Sequence, residues 1–344
     1  KNLKNRKLKD IQQLTTDRTS IESYLKGQGW LNLDEKVTAV EIPGAGNMNL
    51  TLRVKTSNRS FIIKQSRGYV EKYPQVAAPA ERALREAEFY ELVSTQEHLK
   101  QQMPTLNGVD VDNHVLNLED LGDGVDYSFL YQRGNILNTG ELEKIMQFAA
   151  SLHTGINTTT TTAPLPNREM RKLNHEHIFI YPYLTENGLD LDDILPGLRK
   201  VGMIYKKDAS LQKAVKMLGE RYLADGKTLL HGDYFPGSWL KTEKGIKIID
   251  PEFCFFGDAE FEIGITLAHL KMAAQPKALT QKALDIYTSL APLDIELCKR
   301  FMAAEILRRI LGLAQLPLSL DLEERKSLLV QAREILVQPN NKLL

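Results

Sequence analysis

The sequence predicts an α+β protein of two lobes, a small N-terminal lobe built on an antiparallel sheet and a larger, mostly helical C-terminal lobe. Three observations carry this. Between residues 37 and 64, short apolar runs alternate with turns rich in glycine and asparagine, the pattern of strands joined by hairpins. From Leu142 onward, apolar residues recur at helical spacing instead. Within that helical half, residues 229–264 break the pattern with short strand-like runs, two of which end at acidic residues.

In chain order, residues 8–30 read as a helix with Leu14, Ile21, Tyr24 and Leu25 on its apolar side. Strands follow at Val37–Ile42, Met48–Val54 and Phe61–Lys64, separated by the turns Pro43-Gly44-Ala45-Gly46-Asn47 and Thr56-Ser57-Asn58-Arg59. Ala80, Leu84, Ala87 and Tyr90 predict a helix reaching Val93, and Val115–Leu118 a further strand. Leu121-Gly122-Asp123-Gly124 is a breaker, and the lobe boundary is placed there, giving lobes 1–120 and 121–344. Ile145, Phe148, Ala149 and Leu152 then line one helix face. Thr158–Thr162, with Pro164 and Pro166, reads as a surface loop, Leu211–Leu223 as another helix, and helices continue to about Val337.

The chain of 344 residues is long enough for two lobes with a substantial core, and 42% hydrophobic with 26% charged residues is ordinary for a soluble protein. Lys+Arg and Asp+Glu are both 44, which argues against a nucleic-acid binder working by bulk electrostatics and leaves only a local basic patch for such a role. The basic run Lys1, Lys4, Arg6, Lys7 and Lys9 reads as a solvated terminus. Cys254 and Cys298 form no CxxC pair, which argues against a zinc site or a disulfide framework and for two reduced, buried thiols. No secretory signal and no apolar run of membrane-spanning length is present, so the expected setting is cytoplasmic, without a membrane partner. The sequon Asn157-Thr158-Thr159 then has no expected role.

The chemistry concentrates in His231-Gly232-Asp233-Tyr234-Phe235-Pro236-Gly237-Ser238 and Asp250-Pro251-Glu252. Phosphoryl transfer from a nucleotide needs one carboxylate to orient the attacking hydroxyl and others to hold the Mg²⁺ that bridges the phosphates. Asp233 is the candidate for the first task, and Asp250 and Glu252 for the second. Two positions apart on an extended segment, Asp250 and Glu252 would face the same side. Ser238 is a candidate metal ligand or a cap for the next segment. His231 reads as a residue that holds loop backbone rather than one that shuttles protons.

Gly44 and Gly46, with Asn47, lie between two strands and not before a helix, which excludes the dinucleotide fingerprint and the Walker loop. Such a hairpin is either a plain turn or a cover for phosphates, which its backbone N–H groups can approach closely. Lys64, in an apolar strand one hairpin later, suits phosphate binding if a helix carboxylate steadies it. Glu86 is the chosen partner, with Glu81 and Glu88 as rivals that share a different helix face. Arg308 and Arg309 interrupt an apolar helix and point about 100° apart. They read either as a clamp for an anionic or polyhydroxy ligand, or as a surface pair with buried stems, at most one of them fully facing solvent.

These residues resemble a known family. HGDxxxGS followed by Ile249-Asp250-Pro251-Glu252-Phe253 is similar to the aminoglycoside-phosphotransferase and choline-kinase superfamily, whose members share a bilobal protein-kinase-like fold. Within it, the chain resembles the methylthioribose-kinase group. The points of likeness are the hairpin Gly44–Asn49, Ile63-Lys64-Gln65 with Tyr69-Val70 after it, the Asp-Pro-Glu motif, Ser238 in place of a common asparagine, and Leu307–Ala314. The resemblance spans roughly residues 37 to 316 and is weakest over 125–225.

The resemblance implies an ATP- and Mg²⁺-dependent kinase acting on a hydroxyl of a small polyhydroxylated molecule, with 5-methylthioribose or a relative as first substrate. It implies that Gly44, Gly46 and Asn47 cover the ATP phosphates, that Lys64 with Glu86 contacts them, and that backbone from Glu119 to Leu121 meets adenine. Asp233 would be the base, Ser238, Asp250 and Glu252 would serve the metal, and Arg308 and Arg309 would hold substrate. A homodimer is implied as well. Another small alcohol as acceptor (an aminoglycoside, a choline-like amine, another sugar) and a non-catalytic nucleotide binder stay open. Three segments depart from the family's usual pattern: Tyr234-Phe235-Pro236 where it reads Leu-His-Thr, Gly257–Glu262, and Glu71-Lys72-Tyr73 in place of its arginine-bearing segment.

Overall fold

The computed structural model describes residues 11–44, 46, 48–161 and 165–337. The basic N-terminal run, Ala45, Asn47, Thr162 and Pro164 lie outside the described residues. The chain divides into two compact units, one ending at Gly122 and the other beginning at Asp123.

The first unit contains α1 (Arg18–Gly27), β1 (Val37–Glu41), β2 (Leu50–Thr56), β3 (Ser60–Gln65), β4 (Tyr69–Val70), β5 (Tyr73–Ala77), α2 (Arg82–Val93), α3 (Glu97–Lys100), β6 (Leu106–Asp110) and β7 (Val115–Glu119). Five strands form one sheet in the order β1-β2-β3-β7-β6, antiparallel throughout. Period-two alternation turns Leu52 and Val54 of β2 and Phe61 and Ile63 of β3 to one face, where they pack with Leu14, Ile21 and Leu25. Gln65 ends that face, its amide group bonded to the backbone of Leu14, Gln12 and Asn113. Lys64 falls on the opposite face by the same alternation.

The first helix is shorter than the 8–30 expected. Asp17 accepts the N–H of Ser20 and caps the first turn, so α1 starts at Arg18. The strand expected from Met48 begins at Leu50. Helix α2 starts at Arg82, and its buried face runs through Ala83, Glu86, Ala87, Tyr90 and Val93; Leu84 is only half-buried.

The second unit contains β8 (Val125–Asp126), α4 (Thr139–Gly155), α5 (Arg168–Phe179), α6 (Leu191–Ile194), α7 (Leu198–Lys206), α8 (Ala209–Leu223), β9 (Thr228–Leu230), β10 (Trp239–Thr242), β11 (Gly245–Ile248), β12 (Phe255–Gly257), α9 (Ala259–Met272), α10 (Lys277–Leu290), α11 (Ile295–Leu311) and α12 (Leu322–Val337). Helix α9 is apolar and buried nearly all round, as a central helix must be. Gly264 lets it meet α11 backbone to backbone: a Cβ there would come 2.7 Å from the Cys298 carbonyl oxygen and 2.8 Å from the Met302 nitrogen. Strand β9 pairs antiparallel with β12, and β10 with β11. The two acidic loops, 231–238 and 249–254, therefore leave adjacent strand ends together. Among the described residues no helix is long and apolar enough to cross a membrane.

Candidate active site

In the first unit, Lys64 Nζ lies 2.6 Å from Glu86 Oε2, and both side chains are almost wholly buried. Glu81 is exposed, and Glu88 pairs instead with Arg85 at 2.8 Å. Gly44 and Gly46 sit exposed in the turn between β1 and β2. Past β7, Arg53 holds Asp120 at 3.0 Å and donates to the Gly122 carbonyl. The Glu119 N–H donates to the Thr105 carbonyl at 2.8 Å, so any ligand contact from that peptide falls to its C=O, with the Leu121 N–H two residues on.

In the second unit, the loop carrying Asp233 is held from several sides. His231 Nε2 donates to the Ile249 carbonyl at 2.8 Å, which requires the tautomer in which Nδ1 accepts; the Asp233 N–H lies 3.3 Å from that Nδ1. His231 thus joins the loop of Asp233 to the loop of Asp250. Gly232 sits at φ +86°, and a Cβ there would come 2.0 Å from the Phe253 carbonyl oxygen. No side chain fits between the two loops. We expect Gly232→Ala to cost roughly 2 kcal/mol from backbone strain alone, read as a lowered denaturation midpoint, and to spread the loops, read as loss of turnover.

Helix α9 holds the same loop on both sides of Asp233. Glu262 Oε1 accepts the Gly232 N–H at 2.8 Å, and Thr266 Oγ1 donates to the Tyr234 carbonyl at 3.1 Å. Glu262 Oε2 meets His153 Nε2 at 2.7 Å, and His153 Nδ1 meets the Tyr287 hydroxyl at 2.7 Å. Burial opposes ionisation of Glu262, but the hydrogen bonds from His153 and the Gly232 N–H help hold the carboxyl below its usual range. Ser238 Oγ gives its proton to the Asp233 carbonyl at 2.7 Å, leaving its oxygen lone pairs for another partner.

Burial pushes the Asp233 carboxyl up to about 6, against the downward pull of Arg309 and Arg308. Those arginines are only 6% and 8% exposed, so the surface-pair reading fails. Helix α11 is enclosed, and Glu305, one turn earlier, compensates both: its carboxylate lies 2.6 Å from Arg309 Nε and 3.1 Å from Arg308 Nη1. His269 Nε2 donates to Glu305 at 2.9 Å and Nδ1 accepts from the Tyr131 hydroxyl at 2.6 Å. The Arg309 guanidinium lies over the ring of Phe235 at 5.2 Å, and that ring is 5.0 Å from His269. The departure at 234–236 thus has two halves. Tyr234 points into the core, stacked on Phe148 and donating to the Ile145 carbonyl, while Phe235 lies against Arg309.

The expectation of an extended Asp250–Glu252 segment is corrected. Asp250 takes φ +60°, and the Cys254 N–H returns to the Pro251 carbonyl, so the segment is a turn. The Asp250 side chain is exposed and Glu252 is 5% exposed. Asn167, itself at φ +41°, donates to the Glu252 and Cys254 carbonyls at 2.9 Å and fixes the turn. Both cysteines are buried and unbonded to each other. Among the described residues, no group of three or more His, Cys, Asp or Glu side chains is placed to hold a metal ion.

Sequence reasoning missed Asn167, Arg82 and Glu305. Spacing could have found two of them: Glu305 precedes the arginines by three and four residues, and Arg82 precedes Glu86 by four. Nothing local marks Asn167.

Residues 39–292 match the phosphotransferase enzyme family, and the chain belongs to it. It is 29% identical over 266 residues to a methylthioribose kinase of Exiguobacterium sibiricum, covering 71% of this chain and 63% of that protein. It is 30% identical over 248 residues to a methylthioribose kinase of Yersinia pestis, covering 68% and 58% respectively. The chain therefore spans about three-fifths of the length of these curated relatives. A choline kinase from Streptococcus pneumoniae has the same fold, with a TM-score of 0.52, 16% identity, and coverage of 92% of this chain and 97% of that one. The likeness to the methylthioribose-kinase group and the kinase-like fold read from the sequence are both borne out.

Proposed function

We propose that the protein transfers the γ-phosphoryl group of ATP to a hydroxyl of a small sugar-like acceptor, with 5-methylthioribose or a related thio-sugar as the leading substrate. The observation that carries this reading is Asp233, a recessed carboxylate held on both sides by α9 and accompanied by two buried arginines. In the reaction, the acceptor hydroxyl oxygen forms a bond to the γ-phosphorus, the bond to the β–γ bridging oxygen breaks, and ADP leaves. Asp233 orients the hydroxyl and takes its proton late; the work is mainly positioning and electrostatics. Lys64, steadied by Glu86, donates to the phosphates, and the Gly44–Gly46 turn covers them. Glu119 C=O and Leu121 N–H meet adenine. Arg308 and Arg309 donate to acceptor oxygens.

The donor set fits Mg²⁺. Asp250 and Glu252 supply hard carboxylate oxygens and Ser238 a hydroxyl with lone pairs to give, and this ion needs only one or two protein carboxylates beside phosphate oxygens and water. Once bound, it would neutralise charge developing on the phosphates. The two buried arginines beside Asp233, although balanced by Glu305, present N–H donors and no acceptors, which suits acceptor oxygens rather than the ammonium of choline or an aminoglycoside. The relatives named methylthioribose kinase support the thio-sugar.

The test is ADP release from MgATP by the purified chain, offered 5-methylthioribose, ribose-type sugars, choline and an aminoglycoside in turn. Turnover on methylthioribose with kcat/KM above about 10⁴ M⁻¹s⁻¹ is the expected result, an ordinary value for an enzyme on its own substrate. Turnover only on another alcohol would overturn the substrate, and no turnover on any would overturn the activity.

A further inference from the structure

Arg82, at the start of α2, is 1% exposed. A guanidinium has five N–H donors, and five oxygens surround this one. Nε donates to Asn49 Oδ1 at 2.9 Å. Nη1 donates to the carbonyls of Arg67 at 2.6 Å and Pro79 at 2.8 Å. Nη2 donates to the carbonyls of Met48 at 2.6 Å and Tyr69 at 3.2 Å. The acceptors come from three separate segments: the return of the glycine turn into β2, the stretch running from the β3–β4 connection into β4, and the entry to α2 itself.

A buried arginine that ties loops together could serve the fold alone. Two features point further. Met48 and Asn49 are the residues that bring the turn carrying Gly44 and Gly46 back into the sheet, so these bonds fix one end of the segment assigned to the phosphates. In addition, Arg82 and Glu86 are one helical turn apart on the same face of α2. One rigid helix therefore grips the hairpin with one side chain and Lys64 with the other.

We infer that Arg82 is a positioning residue for nucleotide phosphates: it sets the glycine hairpin in register with Lys64 through α2. This rests on the kinase reading above. Lysine cannot reproduce it, since a compact ammonium with three donors cannot reach five oxygens on three segments.

The test uses the full chain, with Arg82→Lys as the first variant and Asn49→Ala as the second. The second removes one of the two bonds by which Arg82 holds the hairpin and leaves the guanidinium in place. Calorimetric titration with MgADP and, separately, with adenosine distinguishes phosphate positioning from general damage. The expected result is MgADP affinity and ATP KM at least tenfold worse in Arg82→Lys, adenosine affinity within threefold of the parent, and the same selectivity, smaller in size, in Asn49→Ala. Equal weakening of both ligands, or unchanged MgADP affinity, would overturn the role. If Arg82→Lys does not fold, Asn49→Ala decides by the same criteria. A parent that binds no MgADP overturns the kinase reading and this role with it, whereas a parent that binds while both variants match it overturns this role alone.

Discussion

Asp233→Asn is expected to lower turnover by about 10³-fold or more while MgATP still binds. The amide keeps the shape and cannot accept the hydroxyl proton, and a positioned general base is worth roughly 10² to 10⁴ in rate, to which lost orientation adds. A turnover assay beside a nucleotide titration checks this, and undiminished turnover would remove Asp233 from the chemistry. The same variant has a thermodynamic signature. Burial pushes the folded carboxyl up to about 6, from an ordinary value of 3.8. Its contribution to stability is therefore fully present below about pH 3.8 and is lost as pH rises through about 6. At pH 7 the ionised, recessed carboxylate costs the fold on the order of 1–3 kcal/mol. Asp233→Asn should thus raise stability at pH 7 and leave it nearly unchanged at pH 4, as read by denaturant titration at both values. A gain of the same size at both would mean that the ionised carboxylate carries no such penalty.

The second large effect is expected at Glu305. Its carboxylate is wholly buried and holds Arg308, Arg309 and His269 at once. Burial alone would raise its pKa, but the two guanidinium charges keep it well below the carboxylate range. His269 is neutral at physiological pH, because burial lowers its pKa to about 4. Glu305→Ala therefore leaves two buried positive charges facing no acid on their own helix. Removing one partner of a buried ion pair typically costs about 3–5 kcal/mol, and that range is the prediction for chemical denaturation. Glu305→Gln should cost less, since the amide oxygen still accepts a hydrogen bond. A loss below 1 kcal/mol in Glu305→Ala would show that the arginines find other partners.

What could be read in the sequence depended on whether the signal was local. Strands β1 to β3 alternate strongly, and the acidic loops stand out because residues with few other uses occur in order. Lys64 and Glu86 could be proposed as partners because strand and helix periods decide which way each faces. Strand β5 escaped notice because every residue in it is exposed and it contains Pro74. Strand β6 carries Asn107 and Gly108, poor strand formers, and exists through its pairing with β7. The left-handed turn at Asp250 has no glycine to announce it. The burial of Arg308 and Arg309 escaped because an apolar helix with two arginines looks amphipathic until Glu305 is counted as their counter-charge.

The bond between His269 on α9 and Glu305 on α11 bears on how this protein could be given a new acceptor. Helix α9 also holds the backbone around Asp233, so a library that randomises Arg308 or Arg309 should disturb the mounting of the proposed base and yield mostly dead or unfolded clones. The Phe235 ring makes only packing contacts in this arrangement, against Arg309, His269 and Gly237. On the proposed kinase reading this residue neighbours Asp233 in the chain while taking no part in the ion pairs of Glu305 with the two arginines, so retargeting is best begun there.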